Sequence, residues 1–311
     1  MCMDTPSPQR PLWKVIFLSP DEPRLRAGWR LLLQTLLLIF FMFCVGIPFA
    51  LLALGGLPFD TAADDWLMFA NQVAETFAVG VSVFLARRFL DRRSFVSLGL
   101  HLDLRALLDL VAGILITFVM MGLIALLEWR MGWLTVEGFA WETESLPAVL
   151  LSTAFILLTF VLVGWNEELL SRGYHLQTIA SGTNRTLGVV LSSGIFGALH
   201  LANPHASWMS TLGIFLAGLF LAYGYLRTGR LWLSIGLHIG WNFFEGVVFG
   251  FPVSGMEFYR LMRVAVRGPD LWTGGYFGPE AGLVLLPALA LGALLIYGYT
   301  RLAAKWSSPE E

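Results

Sequence analysis

The sequence predicts an all-α fold, a polytopic membrane helix bundle with about eight transmembrane helices, and three observations carry that prediction. Hydrophobic residues make up 57% of the 311 and charged ones 14%, with a mean hydropathy of +0.71, far above the balance of a soluble domain. The apolar residues come in runs of about twenty or more, the length that crosses a hydrocarbon core. Lysine and arginine gather in short clusters between those runs, as cytoplasmic loops of membrane proteins do.

The elements follow in chain order. The first uncharged run, Leu31 to Phe59, is longer than the apolar part of a cleavable signal and reads as a retained helix. Trp66 to Ala86 and Ala106 to Leu127 supply the second and third spans. The fourth begins at Leu146 and is preceded and filled by residues without formal charge, 22 of them from Ser145 to Asn166, before it reaches "GWNEELLSRGYH" at Gly164 to His175. Thr186 to Leu226 is again uncharged over 41 residues, and "NPH" at Asn203 to His205 divides it into two helices. Leu231 to Phe251 and Ala281 to Thr300 complete the set.

The charge pattern predicts that both termini are cytoplasmic. Arg10, Lys14, Arg24, Arg26 and Arg30 precede the first span, and Arg87, Arg88, Arg92 and Arg93 follow the second. Arg227 and Arg230 follow the sixth, and Arg301 and Lys305 the eighth. Asp60, Asp64, Asp65, Glu137, Glu142 and Glu144 fall in the opposite loops. Arg260, Arg263 and Arg267 break the pattern, lying on the predicted outer side. Pro11 to Arg30 mixes bulky apolar and basic residues, a composition suited to the membrane interface and equally to a disordered tail. The 12 tryptophans read mostly as interface anchors.

Composition also excludes some functions. A net charge of −2 without a long basic stripe gives nucleic-acid binding no support. Cys2 and Cys44, the two cysteines, offer neither a disulfide framework nor a cysteine metal site.

What remains to be explained is the polarity inside the spans, where charge is costly by roughly 2.5–3.5 kcal/mol per residue on insertion scales. Glu168 and Arg172 lie four residues apart on one helix and face the same way, so they predict an ion pair. Glu167 points about 100° away from Glu168 and is left without a local cation. His238, Asn242 and Glu245 fall on one helical stripe, and "FGALH" sets Phe196 one turn before His200. A turn at Ser181 to Asn184 brings Glu167 and His200 to the same depth, roughly 24 Å from the turn. His238 starts at a different level, roughly 14 Å above Gly229, and needs a tilt or a broken helix to join them. Glu245 is placed near the aqueous rim, His205 and His101 in solvated or interfacial loops, and His175 one turn past Arg172.

These motifs, "EELLSRG", "FGALH" and "LHIGWN", resemble in order the EExxxR, FxxxH and HxxxN/B motifs of the CPBP family, the CAAX protease and bacteriocin-processing intramembrane endopeptidases, also called type II CAAX prenyl endopeptidases or the Abi family. The resemblance runs from Leu146 to about Phe251, and "RRSFVSLGL" at Arg92 to Leu100 reads similarly. The apolar runs divide the chain into a cytoplasmic or interfacial segment at 1–30, a transmembrane domain at 31–303 and a tail at 304–311, and the resemblance places the catalytic core at about 146–251.

The resemblance implies a peptidase acting within the bilayer on a peptide or protein substrate, prenylated or otherwise membrane-associated. Glu167 is then the general base, an isolated carboxylate being competent for that task. His200 holds and polarises the same water, and His238 and Asn242 donate to the oxyanion. Glu168, Arg172 and Phe196 support these four from behind. A zinc ion on Glu167, His200 and His238 is the alternative way to activate water, but no HExxH fixes its geometry, and the cofactor-free scheme is preferred. Two other classes use the same residue types: a proton-coupled transporter, and a non-catalytic immunity or scaffold protein.

Overall fold

The computed structural model describes residues 11–54 and 61–306; Arg10, Asp60 and the residues after 306 lie outside it, as do the side chains of Asp64, Asp65 and Lys305. The architecture is a helix bundle in the order α1 (Leu12–Phe17), α2 (Ala27–Leu54), α3 (Thr61–Leu85), α4 (Leu104–Arg130), β1 (Leu134–Phe139), α5 (Leu146–Glu168), α6 (Gln177–Gly182), α7 (Arg185–Leu199), α8 (Trp208–Thr228), α9 (Trp232–Asn242), β2 (Met262–Val266), α10 (Asp270–Thr273) and α11 (Leu285–Trp306). Among the described residues seven helices are long and apolar enough to cross a membrane. The chain is an integral multi-pass membrane protein.

Local chemistry sets the helix ends that matter for the site. Asn184 accepts from the Leu187 N–H at 2.9 Å and starts α7, which puts the turn after α6 where the sequence predicts it. Ser207 and Ser210 cap α8 reciprocally, at 3.1 and 2.7 Å, just past the "NPH" break. Gly229, at φ 67°, takes the left-handed conformation that ends α8. Asp103 caps α4 through the Ala106 N–H, and Arg230 grips the same carboxylate with both arms at 2.6 and 2.8 Å. That fork holds the Asp103 carboxyl low, at about 2, and ties the start of α9 to the start of α4.

The predicted span Leu231 to Phe251 departs from expectation in length. It is α9 continued by a π-helical turn, Phe243–Val248, and is not among the seven long helices. Every residue from Leu233 to Asn242 is buried, so α9 is the central helix of the bundle rather than a lipid-facing one. Small residues let its neighbours approach. A Cβ on Gly113 of α4 would sit 2.5 Å from the Leu237 backbone nitrogen, and one on Gly164 of α5 would sit 2.8 Å from Ile239 Cγ1.

A two-stranded sheet is the one departure from helix that affects the charge pattern. β1 pairs antiparallel with β2, with a bulge between Val136 and Gly138. This places Arg263 beside the acidic loop after α4, where it donates to Thr143 Oγ1 at 2.9 Å and approaches Glu142 at 3.5 Å, while Arg260 pairs with Glu257 at 2.8 Å. Of the arginines that break the loop rule, Arg263 thus sits beside the acidic loop after α4 and Arg260 beside Glu257.

At the opposite end α2 is anchored by charge. Arg30 pairs with the buried Asp91 and donates to Ser181 Oγ at 2.7 Å, and Arg87 reaches Asp91 at 3.0 Å and Gln177 Oε1 at 3.1 Å. Of the N-terminal segment, Leu12 to Phe17 forms a helix whose Leu12 and Trp13 are exposed, 74% and 57%.

Candidate active site

Glu167 and Glu168 arrive at the C-terminal end of α5, where the helix widens into a π-helical stretch, Leu169–Leu176. Arg172 lies within that stretch and its Nη1 meets Glu168 Oε1 at 2.8 Å, both side chains being almost completely buried. The guanidinium is satisfied further by the Gly218 carbonyl at 3.1 Å and lies 4.3 Å from the centre of the Phe196 ring. The predicted ion pair is present.

The second consequence of the Glu168 position falls on His238. Its Nδ1 lies 2.8 Å from Glu168 Oε1, the same oxygen that accepts from Arg172. His200 Nδ1 lies 2.8 Å from the Phe196 carbonyl. A carbonyl accepts only, so His200 donates from Nδ1, and an ionised Glu168 requires the same of His238. Both rings therefore present Nε2 elsewhere, and both present it to one atom. Glu167 Oε2 is 3.8 Å from His200 Nε2 and 3.7 Å from His238 Nε2, and it is buried without a hydrogen-bond partner among the described residues. These separations are too long for direct hydrogen bonds and fit a single bridging water.

The depth problem of His238 is solved at the far end of its helix. The Leu231 N–H donates to Gly99 O at 3.1 Å, and Gln177 Nε2 donates to the neighbouring Leu98 O at 2.9 Å. α9 thus starts level with Gln177 rather than with the Thr183–Asn184 turn. From those starting points Glu167 and His238 lie about 15 Å and about 10 Å along their helices, a difference their side chains bridge.

The site opens into a cavity of about 410 Å³, lined by Glu167, His200, His238 and Asn242 among its polar groups and by residues such as Phe160, Phe196, Phe220 and Trp241 among its apolar ones. Asn242, one turn beyond His238, is buried and faces the same space. Phe196 stands 4.8 Å from His200 and 6.1 Å from His238, centre to centre, and also packs on the guanidinium of Arg172. All seven residues singled out by the motifs come together.

One placement differs from expectation. Glu245 is not at a rim: it is fully buried, with neither carboxylate oxygen hydrogen-bonded among the described residues, because the π-helical turn after Asn242 rotates it into the bundle. Trp241 is not an interface anchor but a buried cavity wall whose Nε1 donates to Glu280 at 3.2 Å. Glu75 and Glu280, carboxylates that line the same cavity, carry no motif and went unselected. Glu75 had a readable signal as a charge inside a span. Glu280 precedes its apolar run and looks like a loop residue in sequence.

Zinc would need three donors converging on one ion. Among the described residues no preformed group of three or more His, Cys, Asp or Glu is placed to hold a metal ion.

Comparison with known families agrees with the motif resemblance. The model of the Rce1-like family, Type II CAAX prenyl endopeptidase Rce1-like, matches residues 149–244. The match contains Glu167, Glu168, Arg172, Phe196, His200, His238 and Asn242, and it stops before Glu245 and Glu280. Neither the curated proteins nor the solved structures yield a match.

Proposed function

We propose that this multi-pass membrane protein is an intramembrane endopeptidase hydrolysing one peptide bond of a membrane-associated peptide. The observation that carries the reading is the convergence of His200 Nε2 and His238 Nε2 on the unpartnered Glu167 Oε2, at the wall of a cavity inside the bundle. The Rce1-like match supports the class of reaction, a CAAX-type endopeptidase.

In this scheme Glu167 takes a proton from a water held between its carboxylate and His200, and the hydroxide attacks the scissile carbonyl. The oxyanion accepts hydrogen bonds from His238 Nε2–H and Asn242 Nδ2. His238 then carries protons on both nitrogens, an imidazolium flanked by Glu167 and Glu168. As the tetrahedral species collapses, the C–N bond breaks and Glu167 returns its proton to the amine nitrogen. Arg172 balances Glu168, which orients His238.

The test is cleavage of a peptide library by purified protein, with elemental analysis on the same sample. Activity with less than stoichiometric zinc is expected, and His238→Ala should slow turnover by about 10²–10³ without changing metal content. One tightly bound zinc per active chain, lost in His238→Ala, would reverse the choice of scheme. Transport of a solute without hydrolysis would instead favour a carrier.

The arginine clusters support an orientation with both termini in the cytoplasm. A reporter fused at Glu311 should be active only on that side. External activity would break the eight-span arrangement.

A further inference from the structure

Beyond the matched segment, the cavity is closed by a turn that does not belong to the motif helices. Val253 and Met256 bridge across it, and Ser254 and Gly255 take positive φ values, 49° and 84°. Ser254 is not glycine, so its backbone is held there against steric preference. Two clasps hold it. Glu280 Oε2 accepts from the Ser254 N–H at 2.7 Å and lies 2.6 Å from Ser254 Oγ, while Glu280 Oε1 accepts from Trp241 Nε1 at 3.2 Å. On the other side Asn203 Nδ2 donates to the Ser254 carbonyl at 3.0 Å.

The two clasps connect to the proposed reaction centre from opposite directions. Asn203 caps the short turn His200–Ala202, so the Ser254 carbonyl fixes the segment that aims His200. Trp241 precedes Asn242 and lies three residues after His238 on α9. Glu280 therefore braces both halves of the site, the His200 side through Ser254 and Asn203, the His238 and Asn242 side through Trp241. The carboxylate is 5% exposed and faces the same cavity.

We propose that Glu280 is a positioning residue for the reaction at Glu167, holding the Ser254 turn and the Trp241 indole so that His200 and Asn242 face one bound water and one oxyanion. The proposal rests on the peptidase reading for its kinetic consequence. Its structural consequence stands apart.

The chemistry of Glu280 makes an isosteric test informative. Its two oxygens each face an obligate donor, the Ser254 N–H and the Trp241 Nε1–H. A glutamine has one acceptor and one donor end, so whichever way its amide turns, an NH₂ meets an N–H. Glu280→Gln thus keeps volume and breaks either the Ser254 contact or the Trp241 contact.

Glu280→Gln should lower kcat by about 10²-fold, the loss expected when reacting groups are displaced by about 1 Å, with KM and the detergent melting temperature near the parent's. Asn203→Ala should act in the same direction. Where the amide turns its NH₂ to Ser254, the double variant should be no slower than Glu280→Gln alone, because both then work through one turn. In parallel, ¹⁵N-histidine spectra of the full chain should show the His200 signal moved in Asn203→Ala and either the His200 or the His238 signal moved in Glu280→Gln, with His101, in the loop before α4, as the fixed reference. An unmoved His200 signal in Asn203→Ala, or both the His200 and His238 signals unmoved in Glu280→Gln, would overturn the proposal. If no peptide is cut by the parent but the His200 signal moves, the peptidase reading fails and the brace stands. If Glu280→Gln does not fold, Asn203→Ala carries the test with Ser254→Ala, which leaves both backbone contacts, as its control: His200 moved in Asn203→Ala and not in Ser254→Ala supports the brace, and an unmoved His200 in Asn203→Ala overturns it.

Discussion

Glu167→Gln is expected to abolish hydrolysis in a protein that is purified at the parent's yield and melts at the parent's temperature. The amide preserves the volume at the end of α5 and can still hold a water, but it cannot accept that water's proton. Loss of a general base costs about 10²–10⁴ in turnover. Stability should be spared because Glu167 Oε2 has no hydrogen-bond partner among the described residues and the side chain is 29% exposed. The parent and the variant should bind an uncleaved peptide with similar affinity, since the substitution leaves the apolar cavity wall intact. Retained cleavage in Glu167→Gln would remove Glu167 from the reaction and with it the scheme built on the convergence of His200 and His238.

How much of this was readable depends on whether a contact is local in the chain. The Glu168–Arg172 pair and the His238–Asn242 stripe are separated by one helical turn, so spacing alone specified them. The meeting of Glu167 with His200 needed one further fact, the position of a turn, and "SGTN" supplied it through the capping asparagine. The level of His238 depended on Leu231 hanging from Gly99, a backbone bond between distant loops that no side-chain pattern announces. The same holds for β1 and β2, whose strands are short and far apart in the chain, and for Glu280, whose partners Ser254 and Trp241 lie in different elements. Composition marked α9 as a span, yet its residues are buried on all sides. Hydropathy cannot distinguish a helix surrounded by helices from one surrounded by lipid.

Arg172→Ala should damage both the fold and the chemistry, and the two effects can be separated. Removing the guanidinium leaves Glu168, 0% exposed, as a buried carboxylate whose remaining partner is His238. Stranding one member of a buried pair costs about 3–5 kcal/mol, and the Phe196 face and the Gly218 carbonyl lose their cation as well. Lower yield and a lower melting temperature in detergent are the expected readings. Arg172→Lys should recover little, because an ammonium cannot span Glu168 and Gly218 with one planar fork. The informative variant is Arg172→Ala combined with Glu168→Gln. It removes both charges, so stability should return towards the parent's, whereas turnover should stay low because an amide no longer offers His238 Nδ1 the charged acceptor that favours its imidazolium. Parent-like stability in Arg172→Ala would mean that the buried pair does not form. Full activity in the double variant would mean that Glu168 serves packing and not the orientation or charge of His238.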